Sequence, residues 1–368
     1  MSSFQVVSGE YSYLPIERVH FGPGSVSRLA EELDKVGSQH PFLITGHTIA
    51  EKTGLVNMVE KASRRTLAGV FSEIKQHAPI SGIKRALSEV KSAKADSLIS
   101  LGGGSPIDST KVVVKELSEN FAKPIIAHLA IPTTLSAAEF SYSAGMTDER
   151  AKRKTGVRDP RLVPRIIFLD PKVTIDTPSW LWACTGIRSL DHAVESIYSP
   201  RHQPYVDTLA FESIKLLFQN LKMSTKDPTE TAARLACQTA AWMSFAGVQS
   251  VGTGLSHAIG RVIGATWDIP HGITSCLTLA EMMRHQARKY PERSALIAKA
   301  EGQVPGGLDE NKQAMYAADR VEGLVEDLGL SKKLGDYGIK REDLASIARD
   351  AAGQEEYSIA LDVLEKIL

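Results

Sequence analysis

Cysteine, aromatic side chains and net charge are all scarce in this chain. Its 368 residues include 3 cysteines and 6% aromatics, and 43 Lys+Arg stand against 43 Asp+Glu for a formal net charge of zero. Cys184, Cys237 and Cys276 are far apart, odd in number and set among apolar neighbours, which argues against a disulfide scaffold or a thiolate zinc knuckle. A balanced charge argues against a surface built to neutralise phosphate backbones or an anionic bilayer, so neither a nucleic-acid nor a membrane partner is expected. No stretch approaches the roughly 20 apolar residues of a membrane span. The opening MSSFQVVSGEYSYLP has no basic region followed by an apolar run, so a cytoplasmic enzyme acting on a small molecule is the expectation. The terminal Lys366-Ile367-Leu368 lacks the small first residue of a peroxisomal tripeptide.

What is present is length and alternation. The chain is too long for one small core and predicts two domains. In the first half, short apolar runs (Phe42 to Thr45, Ser97 to Leu101, Ile125 to Ile131, Ile166 to Leu169) alternate with amphipathic segments, Val26 to Leu33 and Gly82 to Ala93 among them. Ser81 is the predicted N-cap of the second of these. Beyond about Pro178, segments of helical period take over: Pro204 to Leu221, Pro228 to Phe245, Pro291 to Glu301, Asn311 to Leu328 and Arg341 to Ala352. The pattern predicts an α/β N-terminal dinucleotide-binding domain over residues 1–175 and an all-α C-terminal domain over residues 176–368, packed so that they share a cleft.

Residues 97–111 read SLISLGGGSPIDSTK, an apolar strand entering Gly102-Gly103-Gly104-Ser105 and then a helix with Pro106 in its first turn. Three glycines allow close backbone approach, and the helix start offers unpaired N–H groups and a positive dipole end. This is a site suited to a pyrophosphate, although it is neither a GxGxxG fingerprint nor a Walker loop. The next strand ends in Ile131-Pro132-Thr133-Thr134, whose hydroxyls could meet a ribose or phosphate.

Of ten histidines, His20, His40, His47, His77 and His202 read as surface or turn residues. His192 in GIRSLDHAVES, with His257 and His271 in the run from GLSHAIG to DIPHG, lies on helical or newly started segments. Three neutral imidazoles could converge on a divalent metal, or each could satisfy a hydrogen bond in the core.

GGGSPID, IPTT, Glu139, KTGVRDPRLVPRIIFLDP, GIRSLDHAVES and GLSHAIG through DIPHG, in that order, resemble the iron-containing alcohol dehydrogenase superfamily. The likeness runs from Phe21-Gly22-Pro23-Gly24 to the LGxxxxLxxxGI segment ending at Ile339, and TGVRDPRLVP is closest to the maleylacetate reductase-like branch. The resemblance implies the dehydroquinate synthase-like architecture, a homodimer, and hydride transfer between NAD(P) and a carbonyl across the cleft. It places Gly102, Gly103, Gly104, Ser105 and Asp108 against the cofactor, with Thr133, Thr134 and Lys154 around its pyrophosphate and riboses. Many members carry an Asp after the first central strand that holds the adenosine 2′-hydroxyl. Here Gly46 stands there, so NADP should be accepted as well as NAD. The glycines that follow PTT in the family are Ser136-Ala137-Ala138 in this chain.

The same resemblance implies a metal held by His192, His257, His271 and an Asp four residues before the first of them. That position is Arg188. A guanidinium cannot ligate, and its charge opposes a divalent ion. Asp191 lies about 100° round the helix from His192 and is a poor substitute, and the alternative role for Arg188 is a surface ion pair with Asp191 or Glu195 worth little. Arg261 stands where many relatives have a further histidine, one turn after His257. These substitutions argue against a tightly bound iron or zinc and for Arg188 binding or polarising a substrate oxygen while a histidine supplies the proton. Arg188, His192, His257, Arg261 and His271 are thus the candidate catalytic residues of a reductase for a carbonyl or enone-like, carboxylate-bearing substrate. A metal-dependent alcohol dehydrogenase using the three histidines, a lyase or isomerase that recycles bound NAD, and a cofactor-binding protein without activity stay open.

Overall fold

The computed structural model of the chain describes residues 8–119, 122, 124–150, 153–302 and 304–368. Among the described residues eight strands are formed: β1 (Arg18–Phe21), β2 (Pro41–Ile44), β3 (Gly69–Phe71), β4 (Ser97–Gly102), β5 (Ala127–Pro132), β6 (Ser143–Asp148), β7 (Arg153–Arg158) and β8 (Ile166–Leu169). Five helices fall among them, α1 (Leu29–Lys35), α2 (His47–Lys52), α3 (Leu55–Ser63), α4 (Ile80–Ser92) and α5 (Gly104–Leu117). Ten more follow β8: α6 (Ser179–Tyr198), α7 (Pro204–Lys226), α8 (Thr231–Ala246), α9 (Val248–Val251), α10 (Leu255–Thr266), α11 (His271–Lys289), α12 (Pro291–Glu301), α13 (Glu310–Asp327), α14 (Leu344–Ala351) and α15 (Tyr357–Lys366).

The first compact unit, Leu14–Pro178 with Asp227–Gln238, is built on an all-parallel sheet of order β1-β8-β5-β4-β2-β3, and β6 and β7 form a separate antiparallel hairpin. A sheet covered on both faces buries successive residues on opposite sides, hence the continuous apolar runs. Leu43, Ile99, Leu101, Leu129 and Phe168 pack with Leu29, Leu33 and Val59 on one face. Phe42, Ile44 and Leu98 pack with Ile83, Val90 and Val112 on the other. The chain runs from β2 outward to β3 and returns on the far side of β2 as β4, so the order reverses between β2 and β4. In open parallel sheets the ligand crevice lies at the carboxyl ends of strands flanking such a reversal. Gly46 follows β2 and Gly102–Gly104 closes β4, so both loops lie there.

The second unit takes in Ser179–Lys226 and Thr239–Leu368, which are helical, with the irregular residues 8–13. Its centre is α6, buried from Trp182 to Tyr198 and packed against α7 and α11, while α10 packs on α11. A helix buried all round has no solvent face on which to place its charges, so Arg188, Asp191, His192 and Glu195 must find partners inside the protein.

Some local expectations are corrected. Ser81 is not a cap: α4 starts at Ile80 after Pro79, and Ser81 donates from N and Oγ to Glu149 at 2.9 and 2.8 Å. His20 is no surface residue; it lies in β1 with its ring stacked on Phe168 and Nε2 3.0 Å from buried Glu32. The predicted helix from Val26 is a 3-10 turn over Ser25–Arg28 before α1 begins. β1, β3 and the polar hairpin were not expected, because four half-exposed residues, three residues, and strands of Ser, Thr, Asp, Arg and Lys give no apolar run.

Candidate active site

Two groups of residues carry chemistry, one in each unit. In the sheet unit, β4 ends at Gly102 with φ +140°, a conformation that an L side chain resists, and Thr133 N donates to its carbonyl at 3.0 Å. Gly103 and Gly104 leave a cradle that side chains would fill: a Cβ on Gly103 would lie 3.2 Å from Thr134 Oγ1, and one on Gly104 3.5 Å from Ser136 Oγ. The Thr134 hydroxyl is buried, with no hydrogen-bond partner among the described residues. α5 opens here and directs its first amides at the same place, with no acidic residue in its first turn. Open space, free N–H groups and an unsatisfied hydroxyl suit a phosphate oxygen.

Gly102, Gly103, Gly104, Ser105, Thr133 and Thr134 therefore come together, and Gly46 follows the neighbouring strand. Asp108 is held differently from a ligand: its carboxylate accepts from Gly145 N at 3.0 Å and from Lys111 Nζ at 3.3 Å. Lys111, which the sequence did not single out, is wholly buried and also donates to the Ala138 and Ser143 carbonyls at 2.6 and 2.9 Å. It ties the glycine helix to the threonine loop and to the hairpin. Burial pushes the neighbouring Glu139 carboxyl up to about 7. Lys154 stands on β7 opposite Thr147, and its side chain lies outside the described residues.

In the helical unit, Arg188 enters the histidine cluster from α6. Its Nη2 lies 2.5 Å from His257 Nε2 and 2.6 Å from His271 Nε2, and it also contacts His257 Nδ1. Nη1 donates to Ser275 Oγ at 2.8 Å and to Asp191 Oδ2 at 3.3 Å. Asp191 Oδ2 accepts further from Ser275 Oγ at 2.6 Å and Ser256 Oγ at 3.1 Å. The His257 ring centroid is 5.5 Å from that of His192 and 5.3 Å from that of His271, and His192 meets Phe245 edge-on. Burial, then the Arg188 charge, holds His192 and His257 well below the usual imidazole range, so both are neutral. A guanidinium can only donate, so His271 accepts at Nε2 and carries its proton on Nδ1. Glu195 caps α10 from α6, accepting from Gly254 N at 2.7 Å and His257 N at 3.2 Å, and burial pushes it up to about 8.

Arg188, His257 and His271 are directly bonded, and His192 adjoins them. Arg261 follows His257 by one turn of α10, exposed and without a hydrogen bond or ion pair among the described residues. From the sequence Asp191 is set aside as a metal ligand and, with Glu195, is an alternative surface ion-pair partner of Arg188; the Asp191 pair forms, but buried. Ser256 and Ser275 were missed. A usable signal existed: Asp191 is three residues after Arg188, Ser256 precedes His257, and Ser275 is four after His271.

A parallel sheet with a glycine turn at its point of strand reversal, in a chain that continues as a helical unit, is the dehydroquinate synthase-like architecture. The sequence model described as iron-containing alcohol dehydrogenase matches residues 16–171, and that of the Fe-containing alcohol dehydrogenase family, C-terminal, matches residues 182–360. The chain belongs to the iron-containing alcohol dehydrogenase family and is an NAD(P)-dependent alcohol dehydrogenase or reductase. It is 29% identical over 351 residues to lactaldehyde reductase of Escherichia coli K12, covering 91% of each chain. It is 28% identical over 355 residues to maleylacetate reductase 1 of Cupriavidus pinatubonensis, covering 95% of this chain and 94% of that one. The crystal structure of a 1,3-propanediol oxidoreductase superposes with a TM-score of 0.92 at 24% identity over 98% of this chain and all of that one, which shows a shared fold. No helix among the described residues is long and apolar enough to cross a membrane.

Proposed function

We propose that this chain is an NAD(P)H-dependent reductase of a carbonyl or enone-like, carboxylate-bearing substrate, resembling maleylacetate reductase, in which the Arg188 guanidinium takes the place of a catalytic metal. The observation that carries this is Arg188 Nη2 lying within bonding distance of both His257 and His271. A divalent ion does not fit these residues. The position it would need between the imidazoles is taken by a cation that cannot be displaced without stranding Asp191, and no group of three or more His, Cys, Asp and Glu among the described residues converges as a metal site.

The glycine turn and Thr134 do fit a nicotinamide dinucleotide, with Gly102 to Ser105 and the α5 amides holding the pyrophosphate. Gly46 brings no carboxylate to oppose a 2′-phosphate, so NADP is accepted alongside NAD. When bound, the reduced cofactor supplies a hydride to the electrophilic carbon. Arg188 favours negative charge on the substrate oxygen, because its own charge is buried and fixed by Asp191 and Ser275 and needs no reorganisation. Neutral imidazole N–H groups of the cluster hydrogen-bond the forming oxyanion, and water completes its protonation. Residues 1–175 bind the cofactor and residues 176–368 the substrate, in a cytoplasmic homodimer without nucleic-acid or membrane partners.

The test is oxidation of NADPH and NADH across a panel of 4-oxo acids, enones, aldehydes and ketones. Turnover of carboxylate-bearing carbonyls with NADPH is expected. A preference for NADH above a hundredfold in kcat/KM, or the return of cofactor without net oxidation, contradicts the reading.

A further inference from the structure

Arg188 has two terminal nitrogens, and both are engaged. A guanidinium carries five N–H bonds, two on each Nη and one on Nε. Those of Nη1 go to Asp191 and Ser275, and those of Nη2 to His257 and His271. The side chain is 3% exposed. Arg188 therefore presents no two-pronged edge to a carboxylate, although it sits where oxygen chemistry is expected.

Arg261 has the opposite character. It lies on the His257 face of α10, immediately after Gly260, where the helix passes so close to α11 and Arg188 that a Cβ would lie 2.5 Å from Thr274 Oγ1 and 3.8 Å from Arg188 Nη1. Its charge acts on both Arg188 and His257, disfavouring a positive charge on each. The carboxylates of this site are engaged elsewhere, Asp191 with Arg188 and two serines, Glu195 with the amides of Gly254 and His257. None of them meets Arg261, which is exposed and makes no ion pair among the described residues. Two like charges beside one histidine cluster, one buried and saturated and the other open, leave a place for one anion. A planar guanidinium matches a carboxylate bidentately.

We propose that Arg261 is the substrate-binding residue that selects carboxylate-bearing carbonyl compounds, gripping the carboxylate while the carbonyl lies toward the histidines. The division of labour is between a fixed cation for the reacting oxygen and a free one for the distant charge. This rests on the reductase reading for the carbonyl end, and on Arg261 alone for the anion.

The test compares 4-oxobutanoate with its methyl ester in NADPH oxidation by the full-length wild type, Arg261→Met and Arg261→Lys. In Arg261→Met, kcat/KM for the acid falls about tenfold to a hundredfold more than for the ester, through KM rather than kcat, as expected for loss of a charge-assisted bidentate contact. Arg261→Lys recovers part of that difference. Equal losses on acid and ester, or no loss on either, overturn the proposal. Calorimetry with succinate separates the two readings. If the wild type oxidises NADPH with neither carbonyl, the reductase reading fails, yet succinate binding present in the wild type and lost in Arg261→Met still supports the arginine. Equal binding to both, or none to the wild type, overturns it.

Discussion

The glycine turn and the arginine–histidine cluster make a site by opposite means. The first is shaped by what is missing: Gly103 and Gly104 leave room, the first amides of α5 have no partner within the helix, and the Thr134 hydroxyl has no partner among the described residues. The second is shaped by saturation. Arg188 is buried, and its terminal N–H groups reach an aspartate, a serine and two histidines drawn from α6, α10 and α11. A cradle made of backbone can be damaged by adding atoms, whereas a packed charge network is damaged by removing them.

Adding atoms should have the largest effect. Gly103→Val, at an extended backbone position where valine is at ease, pushes two methyl groups toward Thr134. NADPH affinity, read by fluorescence titration, should fall about a hundredfold or more as the phosphate contacts are lost, with a loss of stability of about 1–3 kcal/mol from crowding Thr134. Unaltered affinity would mean that the cofactor lies elsewhere. Removing atoms from the cluster comes next. Arg188→Met should lower kcat by about a hundredfold or more, the scale of losing a preorganised charge, with NADPH affinity preserved. Parallel losses of affinity and kcat would erase the distinction between the two regions.

Asp191→Asn should leave a buried guanidinium without its counter-charge and destabilise the fold by about 3 kcal/mol in denaturant titration. A variant as stable as the wild type would show that the serines suffice. The smallest effect concerns Glu139, beside the glycine helix. Its folded value is raised from 4.5 to about 7, so the stability of its protonated form is complete below about 4.5 and is lost as pH rises through 7. Glu139→Gln should therefore leave the melting temperature unchanged at pH 4.5 and raise it at pH 8, by an amount equivalent to at most about 3 kcal/mol. The same shift at both pH values would point to packing instead of charge.

The two regions also differ in how much of them can be read without coordinates. SLISLGGGSPID is local: strand, turn and helix start follow one another, and the chemistry follows from residues adjacent in the chain. The buried strands β2, β4, β5 and β8 are legible for the same reason, while β3 and the polar hairpin are fixed by pairing partners far away in sequence. In the cluster, the arginine and the histidines stand out as departures from a familiar order. Their tie does not, because Asp191, Ser256 and Ser275 meet over Arg188 only when three helices pack. The pairing of Asp191 with Arg188 three residues away can be offered from the sequence only as a surface contact; its burial is set by the packing. Arg261 was visible as a substitution, but its lack of a hydrogen bond or ion pair among the described residues is a property of packing alone.

If Arg188 does the work of a metal, turnover needs no metal ion. The protein is to be stripped with chelator, its iron and zinc content measured, and NADPH oxidation with 4-oxobutanoate followed before and after adding each metal. Full turnover with far less than one metal per chain, and no gain on addition, is expected. Turnover that vanishes on stripping and returns with one equivalent of iron or zinc would contradict it.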